Sequence, residues 1–200
     1  MKRRRETEIK LLARDPGELR KRLSQLGLRI FKKRHFESNY LFDFPDLRLS
    51  KSGCLLRLRF AAGESLVTFK GPPLGKRRYG SRHEIETRVE DGTLLREVLK
   101  NLGLKQVFAY EKRRTIYAGD LAGFHEPPQV AYDETPIGNY LELEGPGKWI
   151  DEVAAQLGYS PRDYIISTYL ALYFQRCREE GRRPGNMVFK GRRSRIRLRP

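Results

Sequence analysis

The sequence predicts an α+β fold: a closed eight-stranded antiparallel β-barrel with about four helices packed outside it. Three observations predict it. Eight short segments alternate apolar and polar residues at the period of a strand. Four others repeat apolar residues at helical spacing between recognisable caps and stops. An antiparallel sheet of eight such strands curls, and closing it removes its exposed edges.

The elements follow in order along the chain. Residues 4–13 (RETEIKLLAR) read as a strand. Asp15 then caps a helix with Pro16 at its first position and Gly27 as its stop. Strands follow at 37–44 (ESNYLFDF), 54–61 (CLLRLRFA) and 65–71 (SLVTFKG), the last two joined by a tight turn at Ala62-Gly63. Gly and Pro make 71–81 (GPPLGKRRYGS) a loop, and 82–90 (RHEIETRVE) a strand after it. Asp91 caps a helix that Gly103 ends. Strands at 110–118, 127–134 and 139–145 precede two helices, 147–158 and 161–181. In the last, Ile165, Tyr169, Leu172 and Tyr173 form an apolar stripe for packing.

Two hundred residues suit one domain that buries roughly 70 % of the surface its unfolded chain exposes. We assign residues 1–181 to that domain and 182–200 to a basic C-terminal tail. Cys54 and Cys177 stand far apart, outside any CxxC or Cys/His cluster, which argues against a disulfide framework or a zinc site and for free thiols in a reducing cytoplasm. No apolar run approaches the ~20 residues of a membrane span, and MKRRR has no apolar stretch behind it, so a soluble, unexported protein without membrane contact is expected. Net charge is +16, but KRRR at the start and KGRRSRIRLRP at the end carry ten positive charges between them. Such tails are expected to be solvated, with non-specific affinity for nucleic acid or another polyanion.

Parity assigns the remaining charges to faces, because residues i and i+2 of a strand point the same way. Glu6, Glu8 and Lys10 share one face. So do Arg57 with Arg59, Lys70 with Thr68, Arg82 and Glu84 with Glu86, Lys112 with Arg114, and Glu142 with Glu144. A closed barrel with this pattern holds its charges either outside or inside. If inside, the lumen is wet and holds ions, since unpaired buried charge is prohibitive. Converging Arg and Lys suit a phosphate polyanion, and carboxylates belong beside phosphate only through a hard divalent cation, Mg2+ or Mn2+.

Glu6-x-Glu8-x-Lys10, together with LLRLR, TFKGP, RHEIE, EKRRT and DETPIGNYLELEG in that order, resembles the CYTH or triphosphate tunnel metalloenzyme superfamily from about residue 4 to residue 175. The resemblance implies an antiparallel tunnel that binds a triphosphate end-on with Mg2+ or Mn2+. It implies metal ligation by Glu6, Glu8, Glu142 and Glu144, with Glu142 or Glu144 able to act through water. Lys10, Arg57, Arg59, Lys70, Arg82, Lys112 and Arg114 would hold phosphates, Lys10 and Glu84 would be catalytic, and Glu84 and Glu86 would serve a second metal or hold neighbouring arginines. The implied activity is metal-dependent hydrolysis of a linear triphosphate, inorganic or organic. Its alternatives are a class IV adenylyl cyclase forming cyclic AMP and pyrophosphate, or a non-enzymatic polyphosphate- or RNA-binding module. The family pattern offers no counterpart for the basic tail and leaves monomer or homodimer open. Lys76, Arg77 and Arg78 offer an anion-attracting lip or a solvated hairpin end, and His35, His83 and His125 read as structural.

Overall fold

A computed structural model describes residues 2–13, 15–75, 78–119 and 127–191, with the backbone alone at residues 2–4. Eight antiparallel strands close a barrel: β1 (Lys2–Leu12), β2 (Arg29–Asp43), β3 (Leu55–Ala61), β4 (Glu64–Pro73), β5 (Gly80–Val89), β6 (Lys105–Ala118), β7 (Gln129–Thr135) and β8 (Gly138–Glu144). Their order around the barrel is β1-β5-β4-β3-β2-β6-β7-β8. The helices are α1 (Pro16–Gln25), α2 (Arg48–Lys51), α3 (Gly92–Asn101), α4 (Gly147–Gln156) and α5 (Tyr169–Glu179).

Local chemistry explains most of the boundaries. Asp15 accepts from Gly17 N–H at 2.7 Å and Glu18 N–H at 3.1 Å, and Asp91 accepts from Leu94 N–H at 2.9 Å. Each satisfies amide donors that a helix start leaves over. Ala62 (φ 51°) and Gly63 (φ 82°) both take the left-handed conformation, whose twist suits a two-residue hairpin between β3 and β4.

Three expectations are corrected. KRRR is not a free tail: Lys2, Arg3 and Arg4 pair with Glu86, Ile85 and Glu84 of β5, so β1 begins at residue 2. β2 starts at Arg29, well before Glu37, because two register shifts let a stretch without clean alternation stay on β6. The helix expected over 161–181 is broken. A single 3-10 turn (Pro161–Asp163) is followed by extended chain in which Ile165 exchanges two backbone hydrogen bonds with Lys10, at 2.8 and 2.9 Å, before α5 begins. At Lys10 the pairing of β1 with β5 has already ended at Glu8, and Ile165 fills the vacant edge. The short α2, four residues long, shows no helical period in the sequence. The carboxylate of Asp43 holds it, accepting from Leu49 N–H, Ser50 N–H and Ser50 Oγ at 3.0, 2.8 and 2.6 Å.

The apolar core lies largely outside the barrel. Ile9 and Leu11, on the parity opposite Glu8 and Lys10, pack with Leu143 against Leu19 and Leu23 of α1 and Ile150 and Val153 of α4. Phe42 and Leu58 pack beneath Leu99 of α3. A third cluster is different. Leu41, Phe108, Tyr110 and Tyr140 share strand parity with the charged residues and meet Tyr169 and Tyr173 of α5. The inward face is therefore charged along most of the lumen and apolar at one end, where α5 sits. Residues 182–191 turn back along β6: Met187 is buried and its N–H donates to the carbonyl of Ala109 at 2.9 Å. Among the described residues, no helix is long and apolar enough to cross a membrane.

Candidate functional site

Inward parity brings side chains of six strands around one cavity. Glu6, Glu8 and Lys10 come from β1, Arg57 from β3, Lys70 from β4, Arg82 from β5, Tyr110 and Lys112 from β6, and Glu142 from β8. Ile166, Thr168 and Tyr169 supply a wall from the start of α5. Register sets many opposite charges directly across from each other: Glu6 opposite Arg82, Lys10 opposite Glu142, Lys70 opposite Glu84, Glu37 opposite Lys112 and Asp133 opposite Arg114.

Burial makes such pairing compulsory. On one side, Lys70 Nζ donates to Glu6 Oε2 at 2.5 Å and lies 2.9 Å from Glu84 Oε2. Lys10 Nζ donates to Glu8 Oε1 at 2.7 Å and stands 3.9 Å from Glu142, which Arg114 approaches to 3.0 Å. On the other side Asp133, fully buried, accepts from Lys112 at 2.9 Å, from Arg114 at 2.7 and 2.6 Å and from the Tyr169 hydroxyl at 2.7 Å. Arg57 donates to Thr68 Oγ1 at 3.2 Å, and Thr68 donates to Glu86 at 2.7 Å.

The surroundings shift several protonation equilibria. Burial opposes charge on Glu142, yet Arg114, Lys10 and Lys112 hold its carboxyl well below the usual range. Neighbouring Glu8 goes the other way: burial pushes it up, Lys10 only partly offsets this, and the charges of Glu142 and Glu6 add to it. Burial works against the ammonium of Lys10 and Lys70, but Glu8 with Glu142, and Glu6 with Glu8, raise them above the ordinary lysine value. Tyr169 is pushed well up by burial and by Asp133.

Eight of the sequence-predicted site residues line the cavity: Glu6, Glu8, Lys10, Arg57, Lys70, Arg82, Lys112 and Glu142. Glu84 and Arg114 lie buried behind them, each in contact with a lining residue. Arg59, Glu86 and Glu144 do not line it. Arg59 donates to Asn39 Oδ1 at 3.0 Å and Glu144 accepts from Gln129 at 3.0 Å. Arg82 lines the cavity but gives hydrogen bonds to the carbonyls of Gly53 (2.7 Å) and Gly71 (3.3 Å).

Sequence reasoning missed Asp133, Glu37, Tyr110 and Tyr169. Glu37 and Asn39 alternate in the first strand letters of ESNY and were open to the same parity reading. Asp133 is the one ionisable group on its face of β7, between Ala131 and Thr135, and a single charge makes no pattern. Of the three lip residues, Arg78 pairs with Asp151 at 3.0 Å, while Lys76 and Arg77 lie outside the described residues, as do His125 and residues 192–200. His35 bonds locally, its ring nitrogens 2.9 Å from Lys33 O and 3.3 Å from Glu37 Oε1, and His83 is exposed.

Glu6, Glu8 and Glu142 present only oxygen donors, the kind a hard divalent cation such as Mg2+ or Mn2+ takes. Among the described residues, no three His, Cys, Asp or Glu groups are gathered closely enough to hold a metal ion by themselves. Lys10 and Lys70 are drawn to these carboxylates instead. The donor set fits such a cation in chemical kind, with further oxygens needed to complete its shell.

Comparison with known proteins bears on the family and the fold. A protein of Methanocaldococcus jannaschii named "Putative adenylate cyclase MJ0240" is 33% identical over 140 residues, 70% of this chain and 75% of its own. The fold is shared with the X-ray structure of "a putative adenylate cyclase" from Vibrio parahaemolyticus, at a TM-score of 0.71 and 19% identity, covering 84% of this chain and 96% of that one. It is also shared with the Hippeastrum protein HpAC1, a "putative adenylyl cyclase" described as having a dominant triphosphatase activity, at a TM-score of 0.60 and 18% identity, covering 90% of this chain and 97% of that one. The model of the CYTH domain matches residues 4–167. This chain belongs to the CYTH-domain family.

Proposed function

We propose that this protein hydrolyses a linear triphosphate in the barrel cavity with the help of a divalent cation, Mg2+ or Mn2+. The observation that carries the proposal is the lining itself: five cations, Lys10, Arg57, Lys70, Arg82 and Lys112, face three carboxylates, Glu6, Glu8 and Glu142, across one space. A chain of phosphates satisfies many convergent cations at once, which a single carboxylate or a neutral ligand does not. Glu6, Glu8 and Glu142 would hold the divalent cation, which would supply neutralisation of the substrate's negative charge.

The protein's own residues do the rest by position and charge. Lys10, Lys70, Lys112 and Arg57 bind the phosphates in place of the internal ion pairs they now make. Arg114 and Asp133 hold Lys112 and Glu142 in place from behind. Glu84, buried behind Lys70, supports a role in fixing that ammonium more than one in direct metal contact. Arg59, Glu86 and Glu144 act at one remove from the cavity. As water attacks the terminal phosphorus, its oxygen forms the new P–O bond, the bond to the bridging oxygen breaks, the water's proton passes to product phosphate or solvent, and the lining cations stabilise the charge that develops on the leaving phosphate.

Cyclisation of ATP is the second reading, favoured by the adenylate cyclase names of the relatives. The same site serves either, because the outcome depends on which phosphorus meets which nucleophile. Incubation with tripolyphosphate, ATP and thiamine triphosphate, each with Mg2+ and with Mn2+, separates them. Orthophosphate is the expected product. Cyclic AMP with pyrophosphate from ATP establishes the second reading, and no turnover of any of them overturns both. Glu6→Gln is expected to lower turnover by at least ~100-fold.

A further inference from the structure

The first half of β2 stands apart from the cavity. The pairing of β2 with β3 ends at Glu37 opposite Ala61, so residues 29–36 have β6 on one side and, among the described residues, no strand on the other. This open edge carries Arg29, Lys32, Lys33 and Arg34 within six residues. Arg34 is committed to Glu134 through two hydrogen bonds, at 2.5 and 3.1 Å. Among the described residues, no ion pair is made by Arg29, Lys32 or Lys33.

Phe31 lies within this strip. Ile30 pairs with Tyr117 and Lys32 with Ile116, the next residue back on β6, so Phe31 is the extra residue of a bulge with no partner opposite. Bulges re-aim side chains, and this ring is 66% exposed, beside Ile30 at 57%. Lysines and bulges are the usual protection of an open edge against pairing with another chain, which accounts for Lys32 and Lys33. It does not account for Phe31, because an apolar ring on an open edge invites the association that the lysines oppose.

We propose that this strip binds single-stranded nucleic acid, with its phosphates along the cations and one base stacked on Phe31. The uncommitted cations, Arg29, Lys32 and Lys33, are strung along roughly 13 Å of extended chain, as suits a linear polyanion, rather than converging on a point as they would for a free anion. One exposed ring is enough to stack one unpaired base, and stacking is indifferent to which base it is. A duplex keeps its base faces covered, so it reaches the cations but not the ring.

The test is fluorescence anisotropy of the full chain with a labelled 12-nucleotide single strand, titrated at several salt concentrations. The proposal expects Phe31→Ala to weaken binding by about 5- to 100-fold with an unchanged salt dependence. It expects K32Q/K33Q to reduce the slope of log affinity against log salt by about 1.4. Triphosphate turnover should stay as in the parent for both variants, since none of the three residues lines the cavity. Equal binding by the Phe31→Ala protein overturns the proposal. So does equal affinity for a duplex of the same sequence, or the same Phe31-dependence towards phosphatidylserine vesicles with none towards the oligonucleotide. A full-length chain with Arg192, Arg193, Arg195, Arg197 and Arg199 changed to Gln completes the test: binding lost there and kept in the β2 variants also overturns it.

Discussion

Glu37 shows what a carboxylate must do to stay ionised inside this barrel. It is 2% exposed, and burial alone would raise its pKa, but Arg59 at 3.6 Å and Lys112 at 3.7 Å, with Arg114 beyond, hold it well below the usual 4.5. A depressed folded-state value means that its contribution to stability is fully present above about pH 4.5 and is lost as pH falls through the lower folded value. Glu37→Gln is therefore expected to cost about 3 kcal/mol at neutral pH, in line with breaking a buried ion pair. The gap should narrow as urea unfolding is followed from pH 7 to pH 3. A constant gap across that range would mean that the charge of Glu37 is not what stabilises. Glu8 and Glu142 illustrate the same rule with opposite outcomes. They share Lys10, but only Glu142 also has Arg114, so Glu8 is the member of the pair that takes up a proton first.

Among the elements, the segment from Tyr164 to Thr168 matters most to the site. In sequence it continues a helix. In the fold, Ile165 spends its backbone on Lys10, and this seats Ile166, Thr168 and Tyr169 against the cavity. Thr168 then starts α5 by accepting from Ala171 N–H at 3.2 Å. Ile165→Pro removes the N–H given to Lys10 but suits the residue before it, since Tyr164 is already extended (φ −73°, ψ 124°). The expected result is a loss of about 1–3 kcal/mol in urea unfolding, the cost of leaving a buried carbonyl unpaired, and a raised KM for the triphosphate. If KM is unchanged while stability falls, α5 is packing only and does not shape the cavity.

At the scale of the molecule, the barrel is stabilised from outside and strained by charge within. The apolar clusters lie mostly between the strands and α1, α3 and α4, while the lumen holds ionised groups whose desolvation the internal pairs only offset. A polyanion that replaces those pairs binds the folded state alone. At 100 times its dissociation constant, tripolyphosphate with Mg2+ is expected to stabilise by about 2.7 kcal/mol, which raises the melting temperature by roughly 5–10 °C for a chain of this size. Differential scanning calorimetry checks it. An unchanged melting point at saturating concentrations would show that the lining cations do not bind phosphate.

Parity is a local property, so the sequence by itself determined which residues share a face of each strand: Glu6 with Glu8 and Lys10, Lys112 with Arg114, Glu142 with Glu144. It also determined the eight strands, the caps at Asp15 and Asp91 and the hairpin at Ala62-Gly63, each set by chemistry within a few residues. Only the tertiary structure decided how deep along the lumen each charge sits, and hence that Glu142 lines the cavity while Glu144 does not. Only it brought Asp133 to Lys112 and Tyr169, across 21 and 36 residues of chain. Contacts of that range depend on register and on which vacant strand edge a distant segment fills, as Ile165 does beside Lys10. Neither register nor a vacant edge leaves a period in the sequence.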